Sequence, residues 1–565
     1  MTRALNIAPL EEEQILKLCK EFIGPSEVFA ACFYGPRVYG YADEKTDINV
    51  LLIIPDNVSK VRSFSKKVDR VSLSILAIDK LTFEADVKLG RLGEVIAEIT
   101  TLPYQPWKNA GYFEKMEVKM KKRFILELSK NIVLQYPELS TELLIDPEYF
   151  MHEAMRRKAK LFTPSMYSFS NILKRKVRKQ NVALIMKGYL KALKELETEE
   201  YMTRVDGCVK LDKGFIEKTK RQRNKLSNIF MSIQKALIPY VQGISKATSA
   251  FLQDRRLLGK TTSLGKEEEM LVRLEETEKY LLMPTPMGPI PLSDKTTIQD
   301  FVRKKVPGGG ELKIKTKQMG SVLNSVFLLD LQKNGETQRI VVKKFEDWLG
   351  LKWFPLALWA FGTQSFAVLG ATRLEREYAI NQFMREHGFN VPYILYVSPK
   401  ERFIFEEFVE GEKLSHTVKR VISSSPKKIA ADDLVTFETA GRELAKVHML
   451  GIALGDCKPE NMLITTDGRV CFLDLEQATR SGNQPWDIAE FLYYSGHYIL
   501  PTQSDKAARA IASSFLKGYI EAGGRKENVK KAASAKYTKV FSIFTLPHII
   551  VIMANICNKM AGDQR

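Results

Sequence analysis

The chain has 565 residues, 45% hydrophobic and 27% charged, with a formal net charge of +19. It is about three to four times the length of a typical domain, which excludes one undivided fold and leaves two to four domains, each long enough to bury a core. The charge is concentrated: positions 151–260 hold 25 Lys/Arg against 9 Asp/Glu, so that block is a surface for a polyanion (RNA, DNA or anionic lipid) or a set of solvated helix faces.

The six cysteines (Cys19, Cys32, Cys208, Cys457, Cys471, Cys557) form no CxxC pair. That spacing argues against a zinc knuckle or a disulfide framework and fits a reducing, cytoplasmic setting. MTRALNIAPLEEEQ contains no apolar core of signal-peptide length, so export is not expected.

Over residues 1–80 a helical pattern, EEEQILKLCKEFI, alternates with the β-branched runs INVLLIIP and VSLSILAI, which predicts a small α/β domain. Within it, FYGPRVYGYADEKTDINVLLIIP spaces Gly35, Gly40, Thr46, Asp47 and Asn49 ahead of an apolar strand. This resembles the signature of the polymerase-β-like nucleotidyltransferases. The resemblance implies glycines that admit a triphosphate to backbone amides, and paired strand carboxylates that hold two metal ions. Gly35 and Gly40 match as nucleotide-binding positions and Asp47 as a metal ligand, but Pro36 stands in place of the phosphate-contacting serine and Asn49 in place of the second carboxylate. A third carboxylate is sought near VDRVSLSIL, at Asp69. The expectation is a degenerate domain used for binding or docking.

Residues 81–282 read as an α-helical block, with apolar positions three and four apart in VALIMKGYLKALKEL. Basic clusters fall at Arg156, Arg157, Lys158 and Lys160; at Lys174, Arg175, Lys176, Arg178 and Lys179; and at Lys218, Lys220, Arg221, Arg223 and Lys225. MPTPMGPIPLSD then marks a linker over 283–310. Two apolar stretches, 353–371 and 540–556, approach spanning length, yet each contains proline, and no transmembrane segment is expected.

From 311 to 565 the strand patterns LKIKTK, SVFLLDL and RIVVKKF precede a largely helical remainder, predicting a two-lobed α+β domain and, for the whole chain, a multidomain α+β protein. LGDCKPENMLI places Asp456, Lys458 and Asn461 in a loop, and VCFLDLE ends a strand at Asp474. Phosphoryl transfer needs such a set: a carboxylate for the acceptor, a carboxylate and an amide oxygen for Mg²⁺, and a lysine for the phosphates.

Taken with Lys343 in IVVKK and Glu377 in LEREYAINQF, the order resembles the protein-kinase-like superfamily and its atypical members, the RIO family and the kinase of the KEOPS complex. The resemblance implies Asp456 and Lys458 as catalytic groups and Lys343, held by Glu377, on the α- and β-phosphates. It implies Asn461 and Asp474 as metal ligands, Gly320 and Ser321 as a reduced phosphate loop, and FEEFVEG as an adenine hinge through the backbones of Glu407 and Val409. Leu454 replaces the usual loop histidine and LDLEQ replaces DFG. PWDIAEFLYY follows with no APE segment, its Asp487 resembling the helix aspartate that braces the loop.

The expected function is therefore an atypical ATP/Mg²⁺- (or Mn²⁺-) dependent serine/threonine-type kinase with protein substrates, carrying a basic region for RNA or a ribonucleoprotein. The alternatives are a nucleotide-binding pseudokinase scaffold that binds RNA, and a small-molecule phosphotransferase.

Overall fold

The computed structural model describes residues 12–24, 27–43, 46–55, 61–68, 71–90, 96–161, 163–222, 276–305, 313–318, 325–333, 336–347, 363, 366–424, 429–500 and 505–562. They divide into two compact units, Met1–Leu282 and Met283–Arg565.

In the first unit, β1 (Ala30–Tyr34), β2 (Ile48–Ile54), β3 (Val61–Val68), β4 (Val71–Asp79) and β5 (Gln105–Lys108) form one sheet in the order β3-β4-β2-β1-β5. β2 pairs parallel with β4, and the other pairs are antiparallel. The continuous apolar run of β2 is explained by burial on both faces. Leu51 and Ile53 pack with Phe83 of α3 (Lys80–Leu89) and Phe113 of α4 (Ala110–Gln135), while Leu52 and Ile54 pack with Ile15 and Cys19 of α1 (Glu12–Ile23). A one-turn helix, α2 (Pro36–Tyr39), follows β1, and Asp79 caps α3 by accepting from the Thr82 amide at 2.9 Å. Strand β5 carries the sheet past residue 80; QPWK is too short and too proline-broken for its sequence to read as a strand.

Helices α5 (Glu148–Leu161), α6 (Thr163–Ile172) and α7 (Arg178–Thr198) follow. Buried Lys121 on α4 reaches α7, donating to Glu117 at 2.6 Å and to the Ile185 carbonyl at 2.7 Å. The middle of the chain also carries strands, β6 (Leu144–Ile145), β7 (Met202–Val205), β8 (Cys208–Leu211) and β9 (Leu281–Met283), side by side in the order β9-β6-β8-β7. Arg223, Lys225 and the rest of 223–275 lie outside the described residues.

The second unit opens with β10 (Ile290–Pro291) and α8 (Ile298–Lys305), both inside the stretch expected as a linker. Phe301 is fully buried and stacks on Phe405 with ring centroids 4.0 Å apart. The proline content of the stretch obscured this apolar anchor. Strands β11 (Lys313–Gln318), β12 (Ser325–Lys333), β13 (Glu336–Lys344), β14 (Ile394–Ser398) and β15 (Phe403–Glu407) form an antiparallel sheet in the order β11-β12-β13-β15-β14, with α9 (Gly370–Glu386) between β13 and β14 in sequence.

The helical part comprises α10 (Leu414–Ser423), α11 (Ala431–Met449), α12 (Gln484–His497), α13 (Asp505–Glu521), α14 (Lys526–Ala532), α15 (Ala535–Phe541) and α16 (Pro547–Ala561). Short strands β16 (Gly411–Lys413), β18 (Met462–Thr465) and β19 (Val470–Phe472) form one ribbon, and β17 (Ile452–Ala453) pairs with β20 (Thr479–Arg480). Helices α11 and α13 approach backbone to backbone: a Cβ on Gly441 would stand 2.0 Å from the Phe515 oxygen, and one on Gly518 1.9 Å from the Glu438 oxygen.

The mixed α+β organisation, in several sheets and many helices, is the class the sequence pattern predicts. Among the described residues no helix is long and apolar enough to cross a membrane. Most of 353–371 lies outside the described residues, whereas 540–556 closes α15 and begins α16 at Pro547.

Candidate active site

Lys343 lies on β13 opposite Ile404 of β15, its side chain directed inward. Its ammonium meets Glu377 Oε1 at 2.7 Å, the Leu473 carbonyl at 2.5 Å and Glu406 Oε1 at 3.3 Å. Burial works against the lysine's charge, but Glu377, Glu406 and Asp474 outweigh it and hold the group well above the ordinary lysine range. Burial pushes both Glu377 and Glu406 up to about 7 against the pull of Lys343. Glu406 was not anticipated. The signal was the Glu-Glu doublet of FEEF: strand alternation turns Glu406 inward and leaves Glu407 exposed.

The end of β15 is where the hinge was expected. The Glu407 amide donates to the Tyr393 carbonyl at 2.9 Å, and its side chain accepts from the Tyr393 amide at 2.9 Å. Val409 lies in the stretch 408–410 that joins β15 to β16. Gly320 and Ser321 lie outside the described residues.

Asp456, Lys458 and Asn461 share one loop that ends in a single 3₁₀ turn, Pro459–Asn461. Proline at the first position of that turn fixes its entry and lacks only an amide proton that would go unpaired there. Lys458 Nζ is 3.0 Å from Asp456 Oδ1, and Asn461 Nδ2 donates to Asp456 Oδ2 at 2.8 Å and to its carbonyl at 3.0 Å. Burial opposes the charge of Lys458, yet Asp456 and Glu490 raise it far above its ordinary range.

The Leu473 amide donates to the Asn461 carbonyl at 2.9 Å, which brings the strand end bearing Asp474 alongside this loop. Asp474 Oδ1 is buried and has no hydrogen-bond partner, a costly state for a carboxylate oxygen. With the Asn461 amide nitrogen committed to Asp456, its oxygen remains as a second hard donor. That pair suits Mg²⁺ or Mn²⁺ completed by phosphate oxygens and water. Among the described residues no group of three or more His, Cys, Asp or Glu side chains is arranged for a metal.

Asp487 on α12 holds the loop from beneath. Its Oδ2 accepts from the Leu454 amide at 2.7 Å and contacts His448 Nε2 at 3.0 Å, while Oδ1 accepts from the Gly455 amide at 2.8 Å. Glu490 accepts from the Cys457 amide at 2.7 Å and from Trp486 at 3.0 Å. Leu454 therefore takes part through its backbone. His448 lies outside the matched motifs, and Glu490, though inside PWDIAEFLYY, carries no role that the resemblance implies.

In the first unit, Gly35 adopts φ 89°, ψ −167°, closed to side-chain-bearing residues, and Gly40 adopts φ 80°. The loop before β2 is braced by Arg37, which donates twice to the Thr46 carbonyl at 2.9 and 2.7 Å. Asp47 is half-buried. Asn49 lies against Gly35, its Nδ2 only 2.5 Å from where a Cβ would stand, and its parallel partner on β4 is Ser74. No carboxylate is level with Asn49 on β4, and Asp69 lies outside the described residues.

No family model matches the chain. A stretch of 155 residues, 27% of the chain, is 32% identical to the KEOPS complex subunit Bud32 of Pyrococcus abyssi, covering 64% of that protein. Over 128 residues, 22% of the chain, it is 31% identical to the serine/threonine-protein kinase PknA of Corynebacterium glutamicum, covering 26% of it. It is 28% identical over 128 residues to the serine/threonine-protein kinase drp72 of Corynebacterium efficiens, covering 24%. The chain thus spans less than two thirds of each relative. These likenesses support a kinase-like domain in this chain.

Proposed function

We propose that the chain is an atypical ATP- and Mg²⁺- (or Mn²⁺-) dependent serine/threonine-type kinase whose nucleotidyltransferase-like region is degenerate and serves binding or docking. One observation carries the reading: Asp456, Lys458, Asn461, Leu473, Lys343 and Glu377 form a connected set of polar contacts around the buried, unpartnered Oδ1 of Asp474. In this reading Asp456 orients the acceptor hydroxyl and takes its proton as the oxygen attacks the γ-phosphorus and the bond to ADP breaks. Lys458 follows the transferred phosphoryl group, and Lys343, steered by Glu377, binds the α- and β-phosphates. The Glu407 and Val409 backbones receive adenine. Asn461 and Asp474 would hold the divalent cation, which when bound neutralises phosphate charge.

The test is γ-phosphate transfer from labelled ATP by the full chain beside Asp456→Asn and Asp474→Asn. Loss by orders of magnitude in both variants is expected. Equal label in wild type and variants would sink the reading. ATP binding without transfer would favour a nucleotide-sensing scaffold, label on a small molecule a small-molecule phosphotransferase, and transfer from α-labelled ATP an active amino-terminal site.

For the partner we favour RNA or a ribonucleoprotein, with the protein substrate RNA-associated. Lys174, Arg175, Lys176 and Lys179 are exposed on the turn into α7. That turn sits beside the glycine loop, since Asn181 Nδ2 donates to the Tyr39 carbonyl at 3.0 Å and Val177 lies 3.3 Å from a Cβ placed on Gly40. RNA affinity should fall steeply with salt and fall further in Lys174→Glu/Arg175→Glu/Lys176→Glu. Salt-independent binding would remove this partner.

A further inference from the structure

Four of the five residues from Leu473 to Gln477, the segment that carries Asp474, are tied, one by one, to β13 or to α9 and its approach. The Leu473 carbonyl accepts from Lys343 at 2.5 Å, and the Leu475 amide donates to Glu377 Oε2 at 2.6 Å. Glu476 accepts from Arg373 Nη2 through both carboxylate oxygens, at 2.8 and 2.7 Å. Gln477 makes a two-way bond with Ala367, its Oε1 accepting from the amide at 2.8 Å and its Nε2 donating to the carbonyl at 3.2 Å. Arg373 is 0% exposed and Glu476 2%, and Arg373 also donates to the Glu346 carbonyl at 2.8 Å.

Two of these ties come from residues outside the phosphate-handling set. Glu476 stands where DFG-type sequences place a glycine. A glycine there leaves the backbone after the metal carboxylate free to turn. Here, turning would strand a fully buried guanidinium without its counter-charge, a strongly unfavourable state. Replacing the hinge by one half of a buried ion pair converts a swivel into a clamp.

We propose that Glu476 and Gln477 are positioning residues that clamp α9 to the Asp474 segment, so that Glu377, Lys343 and Asp474 stay in working register with no activation segment to set them. This rests on the kinase reading above. It extends it by making the site permanently assembled, with no opening of α9 between turnovers.

The experiment compares the full chain with Arg373→Met/Glu476→Leu, which substitutes apolar side chains and leaves no buried charge, and with Gln477→Ala, which removes only two hydrogen bonds. Amide exchange over 370–386 is read by mass spectrometry beside kcat and KM for ATP. In the double variant, exchange over 370–386 should accelerate about tenfold or more and kcat should fall about tenfold while KM for ATP moves less than about threefold. Gln477→Ala should show the same pattern at about a third of the size.

Wild-type protection and kcat in a folded double variant overturn the proposal. If the double variant does not fold, Gln477→Ala decides by the same criteria. If the wild type transfers no phosphate, the kinase reading fails by itself, and exchange over 370–386 still tells whether the clamp exists.

Discussion

Asp487→Asn probes the brace beneath the loop that carries Asp456. The carboxylate serves two backbone amides through different oxygens, Leu454 at 2.7 Å and Gly455 at 2.8 Å, and His448 at 3.0 Å. The residue is 0% exposed, so no water replaces a lost acceptor. Asparagine keeps one oxygen, so whichever way it is turned its NH₂ confronts one of the two amides. One unsatisfied buried donor costs about 1–3 kcal/mol, and the change from a charged to a neutral acceptor weakens the remaining bonds by roughly 0.5–1 kcal/mol each. The sum is about 3 kcal/mol, read as a lowered urea midpoint at unchanged slope. Because both amides lie in the two residues just before Asp456, kcat for γ-phosphate transfer should also drop on the order of tenfold to a hundredfold, from misplacement of the loop. A stability loss below about 1 kcal/mol with unchanged kcat would refute the assignment of Asp487 as the brace.

Lys343→Met leaves Glu377, Glu406 and Asp474 with no cation among them, so both ATP-dependent transfer and stability above neutral pH should fall; transfer within a few-fold of wild type would contradict its place on the phosphates. Glu377 and Glu406 are held up to about 7 by burial, against Lys343. The folded state therefore binds more protons than the unfolded one between about pH 4.5 and 7, and stability contributed by these groups declines as pH rises through that window. Glu406→Gln should flatten the wild-type decline between pH 5 and pH 8 by on the order of 1–3 kcal/mol, and parallel pH profiles for the two proteins would show that Glu406 titrates normally. Gly518→Ala drives a methyl into the Glu438 carbonyl at 1.9 Å, so thermal melting should drop by several degrees, on the order of 2–4 kcal/mol of overpacking; an unchanged melting curve would mean that α11 and α13 separate freely.

Local features were legible because their physics is local. The run Ile48–Ile54 can only be a strand buried on both faces, and Asp456, Lys458 and Asn461 are brought together by one proline-started turn. Alternation along β13 sets the inward direction of Lys343 within a strand whose hydrophobic face is evident. The expected union of Lys343 with Glu377, 34 residues apart, is present in the fold as a 2.7 Å contact.

What only the tertiary structure decided is which charged groups leave water. A single sequence assigns Glu406, Arg373 and Glu476 to the surface by residue type and leaves His448 undecided, yet each is buried, and each is paired across a distance in sequence that no local pattern encodes. Long-range register brings Glu406 to Lys343, and the close crossing of α11 and α13 is allowed by glycines that read as ordinary helix interruptions. Residues 283–305 show the same division, for their prolines and glycine signal a connector while the partner of Phe301, Phe405, lies about a hundred residues away on β15. The sequence by itself thus determined the chemistry on offer, the strand runs and the loop that gathers Asp456, Lys458 and Asn461. Folding determined the pairings, because a buried charge is tolerated only where a distant partner arrives to neutralise it.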